Sequence, residues 1–219
     1  MEAFSQENQT KSDGWFLLLN HYKINDDWKV GNEFHYRRTD FFKTDKQLII
    51  RPFVSFQPGE TAEYTFGYSY LLGSTDFSEP SEAFNREHNF WEQITLHHKA
   101  RFVDISHRFR VEHRFQKSLN NKKSANKYQL ENRFRYRLTL RRNIAKNWFL
   151  HIFDELWVST NREFKFPTYD RNWVYLGVGY NLTEKGNIQV AYLHQNTRIN
   201  NEQYLINPTL QFTFQYDFN

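Results

Sequence analysis

Apolar and polar side chains alternate one by one along much of the chain, most clearly in 107–115 and 129–141. Successive side chains of a β-strand point to opposite faces of the sheet, so each run predicts a strand with one apolar and one charged face. The apolar face holds Phe109, Val111, Phe115, Leu130, Phe134, Tyr136, Leu138 and Leu140. The charged face holds Arg108, Arg110, Glu112, Arg114, Glu131, Arg133, Arg135, Arg137 and Arg141. A continuous aromatic face opposite a crowded charged face is typical of a transmembrane barrel, apolar toward lipid and polar toward its lumen.

The same period of two predicts eleven strands in all, and no segment shows convincing helical periodicity. The predicted strands are 15–23, 28–38, 46–57, 61–72, 86–98, 101–117, 127–142, 148–158, 171–182, 187–197 and 204–218. Short connections alternate with longer ones, which are 39–45, 74–85, 118–126, 161–170 and 198–203. Outer-membrane barrels sort their connections in this way, with short periplasmic turns and longer extracellular loops.

The strand count raises a question of parity. A closed barrel in which all neighbours are antiparallel needs an even number of strands, and eleven is odd. We therefore expect an all-β transmembrane antiparallel barrel of twelve strands, with ten as the alternative. Residues 1–14 are expected to form a mobile polar leader, and residues 15–219 a single barrel domain.

Composition supports a barrel that faces lipid with every second residue. The chain has 219 residues, of which 22 are Phe and 13 are Tyr, yet its mean hydropathy is −0.84. No run approaches the roughly 18 apolar residues of a membrane-spanning helix. The absence of cysteine excludes disulfides and thiolate sites. The net charge of +4 is small, and arginines and aromatic residues are predicted on opposite faces, so a nucleic-acid partner is not expected.

The polar face of the strands predicts the residues that line the lumen. The basic ones are Arg37, Arg51, Arg108, Arg110, Arg114, Arg133, Arg135, Arg137, Arg141 and Arg171. The acidic ones are Glu33, Glu63, Glu112, Glu131 and Glu155. One interpretation is a structural network of arginine–glutamate pairs that fills the barrel, in which Glu33, Glu63 and Glu155 supply acids to the arginine ladder of 108–114 and 133–137. The other is a small anion-selective porin for acidic solutes, with surplus arginine setting the selectivity.

An enzyme acting on lipid or lipopolysaccharide is a third interpretation. Histidines cluster around one predicted hairpin, as general bases or metal ligands do: His88, His97, His98, His107 and His113. No serine stands at a convincing spacing from them, and the neighbouring Asp154 and Glu155 point to opposite faces of their strand. We therefore expect no enzymatic activity, no cofactor and no metal site.

Two predicted strands are less regular than the rest. Glu92 in 86–98 and Asp154 in 148–158 fall among apolar neighbours. We expect a bulge or partial burial at these positions. Lateral burial of either carboxylate would suit contact with another subunit of a membrane complex.

Several motifs resemble an uncharacterised family of bacterial outer-membrane barrel proteins, classed as a domain of unknown function. They are Trp28, Glu33-Phe34-His35-Tyr36-Arg37, Leu48-Ile49-Ile50-Arg51-Pro52, Gly67-Tyr68, Glu87-His88-Asn89-Phe90-Trp91-Glu92-Gln93, the arginine run 107–115, Phe134-Arg135-Tyr136-Arg137, Asp154-Glu155, Arg171-Asn172 and Gly177-Val178-Gly179-Tyr180. The resemblance spans roughly residues 15–218. It implies a barrel in the bacterial outer membrane and no particular reaction. The expected partners are outer-membrane lipids, together with an anionic solute or other subunits of a membrane complex.

Overall fold

Eleven long β-strands make up the fold. The computed structural model describes residues 9–10, 12–73, 85–117, 128–199 and 203–218. Its strands are β1 (Gln9–Thr10), β2 (Asp13–Lys23), β3 (Trp28–Thr39), β4 (Thr44–Phe56), β5 (Ala62–Gly73), β6 (Asn85–Ala100), β7 (Val103–Lys117), β8 (Gln129–Asn143), β9 (Trp148–Thr160), β10 (Thr168–Asn181), β11 (Gly186–Arg198) and β12 (Tyr204–Phe218). The eleven predicted strands correspond to β2 to β12, with bounds that differ by no more than three residues. Within the described ranges, no helix is long and apolar enough to cross a membrane.

The barrel closes through a parallel pair of strands. Each strand from β2 to β12 pairs antiparallel with the next one in sequence, and β12 returns to pair with β2 in parallel, from Thr209 opposite Asp13 to Phe218 opposite Tyr22. The short β1 pairs with β12 in the same register, with Gln9 opposite Leu205, so it extends the edge that β2 occupies. The barrel therefore has eleven strands, and the expectation of twelve or ten is wrong. Ten hairpin connections leave the first and last strands pointing the same way, and a parallel ladder satisfies their backbone groups.

The first long strand, β2, begins slightly earlier than predicted. β2 starts at Asp13 and so includes the last two residues of the predicted leader. Residues 1–8 and 11 lie outside the described part of the chain.

The register sorts the side chains as the alternation predicts. On β7 and β8, Arg110 lies opposite Arg135 and Glu112 lies opposite Arg133, and all four are buried inside the barrel. The apolar residues between them point outward. Outward side chains elsewhere are strongly exposed, with 62% of Phe66 accessible. The barrel is thus polar inside and apolar outside, the reverse of a water-soluble barrel.

Two register shifts occur in the ladders between the described strands, and neither falls where the sequence suggests one. One shift, between Arg37 and Arg38, leaves Lys46 of β4 without an opposite residue, and the other leaves Asp170 of β10 without one. Strand β6, which contains Glu92, pairs regularly with both neighbours. The expectation of a bulge at Glu92 is therefore wrong. Its half-exposed carboxylate lies on the outer face, 3.2 Å from Nε2 of His113.

Asp154 also lies on the outer face without a bulge at its own position. It is exposed and accepts a hydrogen bond from the side-chain amide of Asn172 on the adjacent strand. An amide partner satisfies one carboxylate oxygen without any irregularity in the backbone.

The connections differ in length between the two ends of the barrel. At one end they are 24–27, 57–61, 101–102, 144–147 and 182–185, and at the other they are 40–43, 74–84, 118–128, 161–167 and 199–203. Three of the second set are clearly longer than any of the first. The predicted long connection at 39–45 is only a tight turn, because β3 and β4 extend further than expected. Most of 74–84 and 118–128 lies outside the described residues.

The seam between β2 and β12 is covered by aromatic rings. Phe16 and Phe212 lie on adjacent strands with their rings stacked and centroids 5.6 Å apart, and Phe42 from the 40–43 turn lies 5.4 Å from Phe16. The ring of Phe42 occupies the space that a Cβ atom at Gly14 would need, only 2.1 Å away. Glycine at this position therefore lets the turn fold back over the seam.

Cross-linking tests the parallel closure. Leu18 and Phe214 are opposite each other in the β2–β12 ladder, and the chain has no native cysteine. The double variant Leu18→Cys/Phe214→Cys should form an intramolecular disulfide under mild oxidation, seen as a mobility shift on non-reducing gels, because paired Cα atoms lie within disulfide range. The control Leu18→Cys/Leu210→Cys places the thiols about 13 Å apart along the strand and should not cross-link. Cross-linking of the control alone would contradict this register.

Candidate functional site

Glu155 compensates three arginines inside the barrel. Its side chain is fully buried and accepts hydrogen bonds from Nε of Arg135 at 2.8 Å, from Nε and Nη2 of Arg137 at 3.0 and 2.6 Å, and from Nη2 of Arg108. These donors come from β7 and β8, and the carboxylate comes from β9. One carboxylate therefore ties three adjacent strands together across the inner face.

Glu112 is the second centre of the network. It is also fully buried and accepts from Nε of Arg133 at 2.8 Å and from Nη1 of Arg135 at 2.6 Å. The Nη1 atom of Arg110 lies 3.9 Å from the same carboxylate. Because Arg135 contacts both Glu112 and Glu155, the two centres form one continuous network.

A further group extends this network toward the end with the longer connections. Nε and Nη2 of Arg114 donate to the two carboxylate oxygens of buried Glu87, each at 2.9 Å, and its Nη1 donates to Glu131 at 2.8 Å. Asp170 accepts from Nε of Arg171 at 2.9 Å and lies 3.6 Å from Nη1 of Arg133. The bidentate pairing of Arg114 with Glu87 is among the strongest that arginine makes.

Two of the three acids expected to neutralise the arginine ladder do not contact it. Glu33 accepts from Nη1 of Arg51 at 2.6 Å and lies 3.0 Å from Nε2 of His35. Glu63 accepts from Nζ of Lys29 at 2.8 Å. Only Glu155 has the predicted role, because β3 and β5 lie on a different side of the barrel from β8.

Aromatic rings stack on the arginines inside the barrel. The guanidinium carbons lie 3.7–4.2 Å from ring centroids in the pairs Arg37–Trp15, Arg110–Trp91, Arg133–Trp157, Arg135–Trp157, Arg137–Phe153 and Arg141–Phe149. The prediction that aromatic residues and arginines lie on opposite faces is therefore wrong for these rings. Cation–π contact stabilises guanidinium groups that have left water, by roughly 2 kcal/mol or more where desolvation is complete.

The interior has two chemically different walls. Strands β3 to β8 supply most of the charged side chains described above, and Glu155 of β9 with Asp170 and Arg171 of β10 complete the network. Strands β9 to β11 and β2 supply a buried apolar cluster of Trp15, Phe153, Trp157, Trp173, Tyr175, Ala191 and Leu193. Between the walls lies a chamber of about 220 Å³, lined by arginines on one side and by aromatic rings and glutamines on the other.

All of the predicted lumen residues lie on the inner face of the barrel. Among the described residues, the sequence missed four further charged side chains there that are buried or nearly so: Asp13, Lys46, Glu87 and Asp170. Glu87 has the same parity as Trp91 on β6, so the alternation could have placed it. Lys46 and Asp170 face inward through register shifts, which the alternation does not reveal.

The histidine group predicted around one hairpin is divided between the two faces. His98 and His107 point outward with stacked rings 5.2 Å apart, and Nδ1 of His107 lies 2.9 Å from the Tyr136 hydroxyl. His97 points inward, 3.9 Å from Glu63. Among the described residues, no cluster of three or more histidines and carboxylates is arranged to hold a metal ion.

Removing the charge of Glu155 should strongly destabilise the barrel. In Glu155→Gln, three buried guanidiniums lose their shared carboxylate, so the free energy of unfolding should fall by about 3–5 kcal/mol. The control Glu131→Gln removes a partly exposed carboxylate from Arg114, which keeps its bidentate pair with Glu87. It should cost about 1 kcal/mol or less. Urea titration of the protein in lipid vesicles measures both, and equal losses would contradict a central role for Glu155.

A model of a known protein family matches most of the chain. Residues 12–206 match the family described as Protein of unknown function (DUF2490). The matched range begins one residue before β2 and ends within β12, so it covers nearly the whole barrel. A comparison with curated proteins found no match. The chain therefore belongs to DUF2490, an uncharacterised family, as its motifs suggest.

Proposed function

We propose that this protein is an outer-membrane β-barrel with a non-conducting, ion-paired interior and a structural or accessory role at the membrane. The observation that carries the proposal is the inverted polarity of the barrel. Its buried interior is dominated by charged pairs, and its exposed surface is dominated by aromatic and aliphatic side chains. This distribution is favourable where hydrocarbon surrounds the protein and unfavourable in water.

The outer face has the extent and composition that a bilayer requires. Its exposed side chains include Phe66, Phe90 and Leu176, each more than half accessible. Soluble monomers rarely expose continuous apolar patches beyond a few hundred Å². The strands of the barrel contain 11 to 16 residues, compared with roughly 9–11 for a membrane-spanning strand. Trp28 and Trp148 lie beside short turns at one end, where aromatic girdles meet the lipid headgroups.

The filled interior argues against an open pore. Arg133, Arg135 and Arg110 are each less than 10% exposed, and Glu112 and Glu155, the main carboxylates of the network, are fully buried. Side chains just fill the lumen of a barrel of about eight strands and barrels of about 16 to 18 strands hold an open channel, so the packing of the interior, and not the strand number, carries this argument. Ring stacking holds the arginines against the barrel wall, and ion pairing holds them against the carboxylates. The arginine side chains therefore block the lumen.

Conductance measurements test the closed interior. Wild-type protein inserted into planar bilayers should show no stable single-channel current, because the paired arginines obstruct the lumen. Heat-modifiable gel mobility of the same preparation serves as the control for folding. Stable channels in correctly folded protein would contradict the proposal.

An anion-selective pore is the second candidate, and surplus positive charge favours it. Arg37 and Arg110 donate to the amide oxygens of Gln47 and Gln93 rather than to carboxylates. Guanidiniums that lack a carboxylate within hydrogen-bond distance give a positive interior potential that attracts anions. If channels do appear, the pore predicts anion selectivity in the reversal potential, reduced or inverted in Arg133→Glu/Arg135→Glu. Cation selectivity would exclude this candidate.

A charge placed on the outer face tests membrane embedding. Phe134→Arg puts a guanidinium among the outward side chains of β8, and should lower the free energy of unfolding from lipid vesicles by about 2–4 kcal/mol if the residue lies near the midplane. The matched control is Phe102→Arg, in the 101–102 turn, where Phe102 is 70% exposed. It should cost about 1 kcal/mol or less, as expected near an interface. Similar effects at both positions would contradict embedding of this face.

A further inference from the structure

The chamber between the two interior walls contains buried donors that lack partners. Four side-chain atoms of its lining make no hydrogen bond to any described residue: Nε of Arg37, Nε of Arg108, Nε1 of Trp157 and Nε1 of Trp173. All four are N–H donors, and among the described residues no fully buried acceptor without a partner lines the chamber. Arg37 is 7% exposed, and both indoles are 5% exposed. Buried donors of this kind are costly unless an acceptor satisfies them.

Three of these donors belong to one compact group. The rings of Trp157 and Trp173 have centroids 4.5 Å apart, and the ring of Trp15 lies 5.4 Å from Trp173. The guanidinium of Arg37 lies 3.8 Å from the centroid of Trp15 and 5.8 Å from that of Trp173. The side chains of Arg37, Trp157 and Trp173, which carry three of the four donors, thus lie close together in the chamber lining.

The chemistry of this group identifies the class of ligand. An acceptor-only group with negative charge matches four N–H donors, two of which belong to guanidiniums, and a carboxylate has this character. The lining also includes Leu17, Leu19, Phe153 and Tyr175, which offer an apolar surface, while its one carboxylate among the described residues, Glu33, accepts from Arg51. A dry cavity of about 150 Å³ accommodates benzene, so a chamber of about 220 Å³ has room for a carboxylate on an apolar body of that size.

We propose that the chamber binds a small organic carboxylate with an aromatic or short aliphatic body. The carboxylate accepts hydrogen bonds from Arg37 and the indoles of Trp157 and Trp173, and the apolar body lies against the aromatic wall. This inference goes beyond the proposed function, since it assigns the interior a ligand as well as a structural role. Because binding is measured in detergent, the result does not depend on membrane embedding or conductance. A failed binding experiment therefore leaves the proposed function intact, and failure of the proposed function leaves the ligand site intact.

Binding of benzoate to the full chain in detergent is the test. Titration should quench tryptophan fluorescence in a saturable way with one site per chain, since Trp15, Trp157 and Trp173 line the chamber. Calorimetry gives the affinity independently. Benzyl alcohol, which is similar in size but uncharged, should bind at least about tenfold more weakly, the effect of losing one charge-assisted hydrogen bond. The protein is also refolded with benzoate present, so that slow entry does not hide a site.

Substitutions place the binding in the chamber. Arg37→Gln should weaken benzoate binding at least about tenfold. Its matched control is Arg141→Gln, which removes an interior guanidinium that stacks on Phe149 and does not line the chamber. This control should leave the affinity within about twofold. Trp173→Phe keeps the ring and removes the N–H donor, so it should weaken binding even if Arg37→Gln does not fold.

Several outcomes would overturn the inference. Absence of saturable benzoate binding in wild-type protein, both after folding and after refolding with the ligand, would exclude the site. Equal loss of binding in Arg37→Gln and Arg141→Gln would place the anion outside the chamber. Equal affinity for inorganic phosphate and benzoate would show that the apolar wall has no part in recognition. Equal affinity for benzyl alcohol and benzoate would show that the N–H donors have no part in it.

Discussion

Buried pairing between arginine and glutamate is the interaction on which the rest of the structure depends. Glu112 and Glu155 are fully inaccessible and share Arg135, while four further arginines contact one or the other. An isolated charge in such a place would cost several kcal/mol, so neither sign is tolerated there without the other. Because donors and acceptors come from β7, β8 and β9, their pairing is compatible with only one register of these strands. A slip by one residue would move every guanidinium to the outer face.

The outer surface and the closure follow from the same arrangement. With the polar groups directed inward, the outward positions are left to side chains such as Phe66 and Leu176, and the surface becomes apolar. An odd number of strands closes this surface only if one pair is parallel, as β12 and β2 are. Closure leaves no free strand edge, which matters for a barrel in hydrocarbon because unpaired backbone groups find no water there. The aromatic rings of Phe16 and Phe212 cover the seam at which the pairing changes direction.

The sequence predicts the strands and their faces well, because a period of two is a local property. It does not determine the strand count, since parity holds only when all neighbours are antiparallel. The sequence also does not reveal the aromatic wall of the interior. Trp157 and Trp173 alternate with outward apolar residues, so both faces of their strands appear apolar. Pairing across the lumen depends on the order of strands around the barrel. The alternation of side chains does not give this order. The sequence therefore predicts Glu63 near the arginine ladder, whereas in the structure Glu63 contacts Lys29. Asp170 turns inward only because the backbone bulges there.

The proposed membrane location requires lipid to surround the outer face of the barrel, with the ion pairs inside. Spin labels on β11 test it most directly, because the outward Ile188, Val190 and Tyr192 alternate there with the uncharged inward Gln189 and Ala191. Single cysteines are labelled one at a time in protein reconstituted into vesicles, and collision rates with oxygen and with a water-soluble nickel chelate are compared. The account predicts high oxygen accessibility at the three outward positions and low accessibility to both reagents at the two inward ones. Nickel accessibility at the outward positions, or no alternation along the strand, would contradict it.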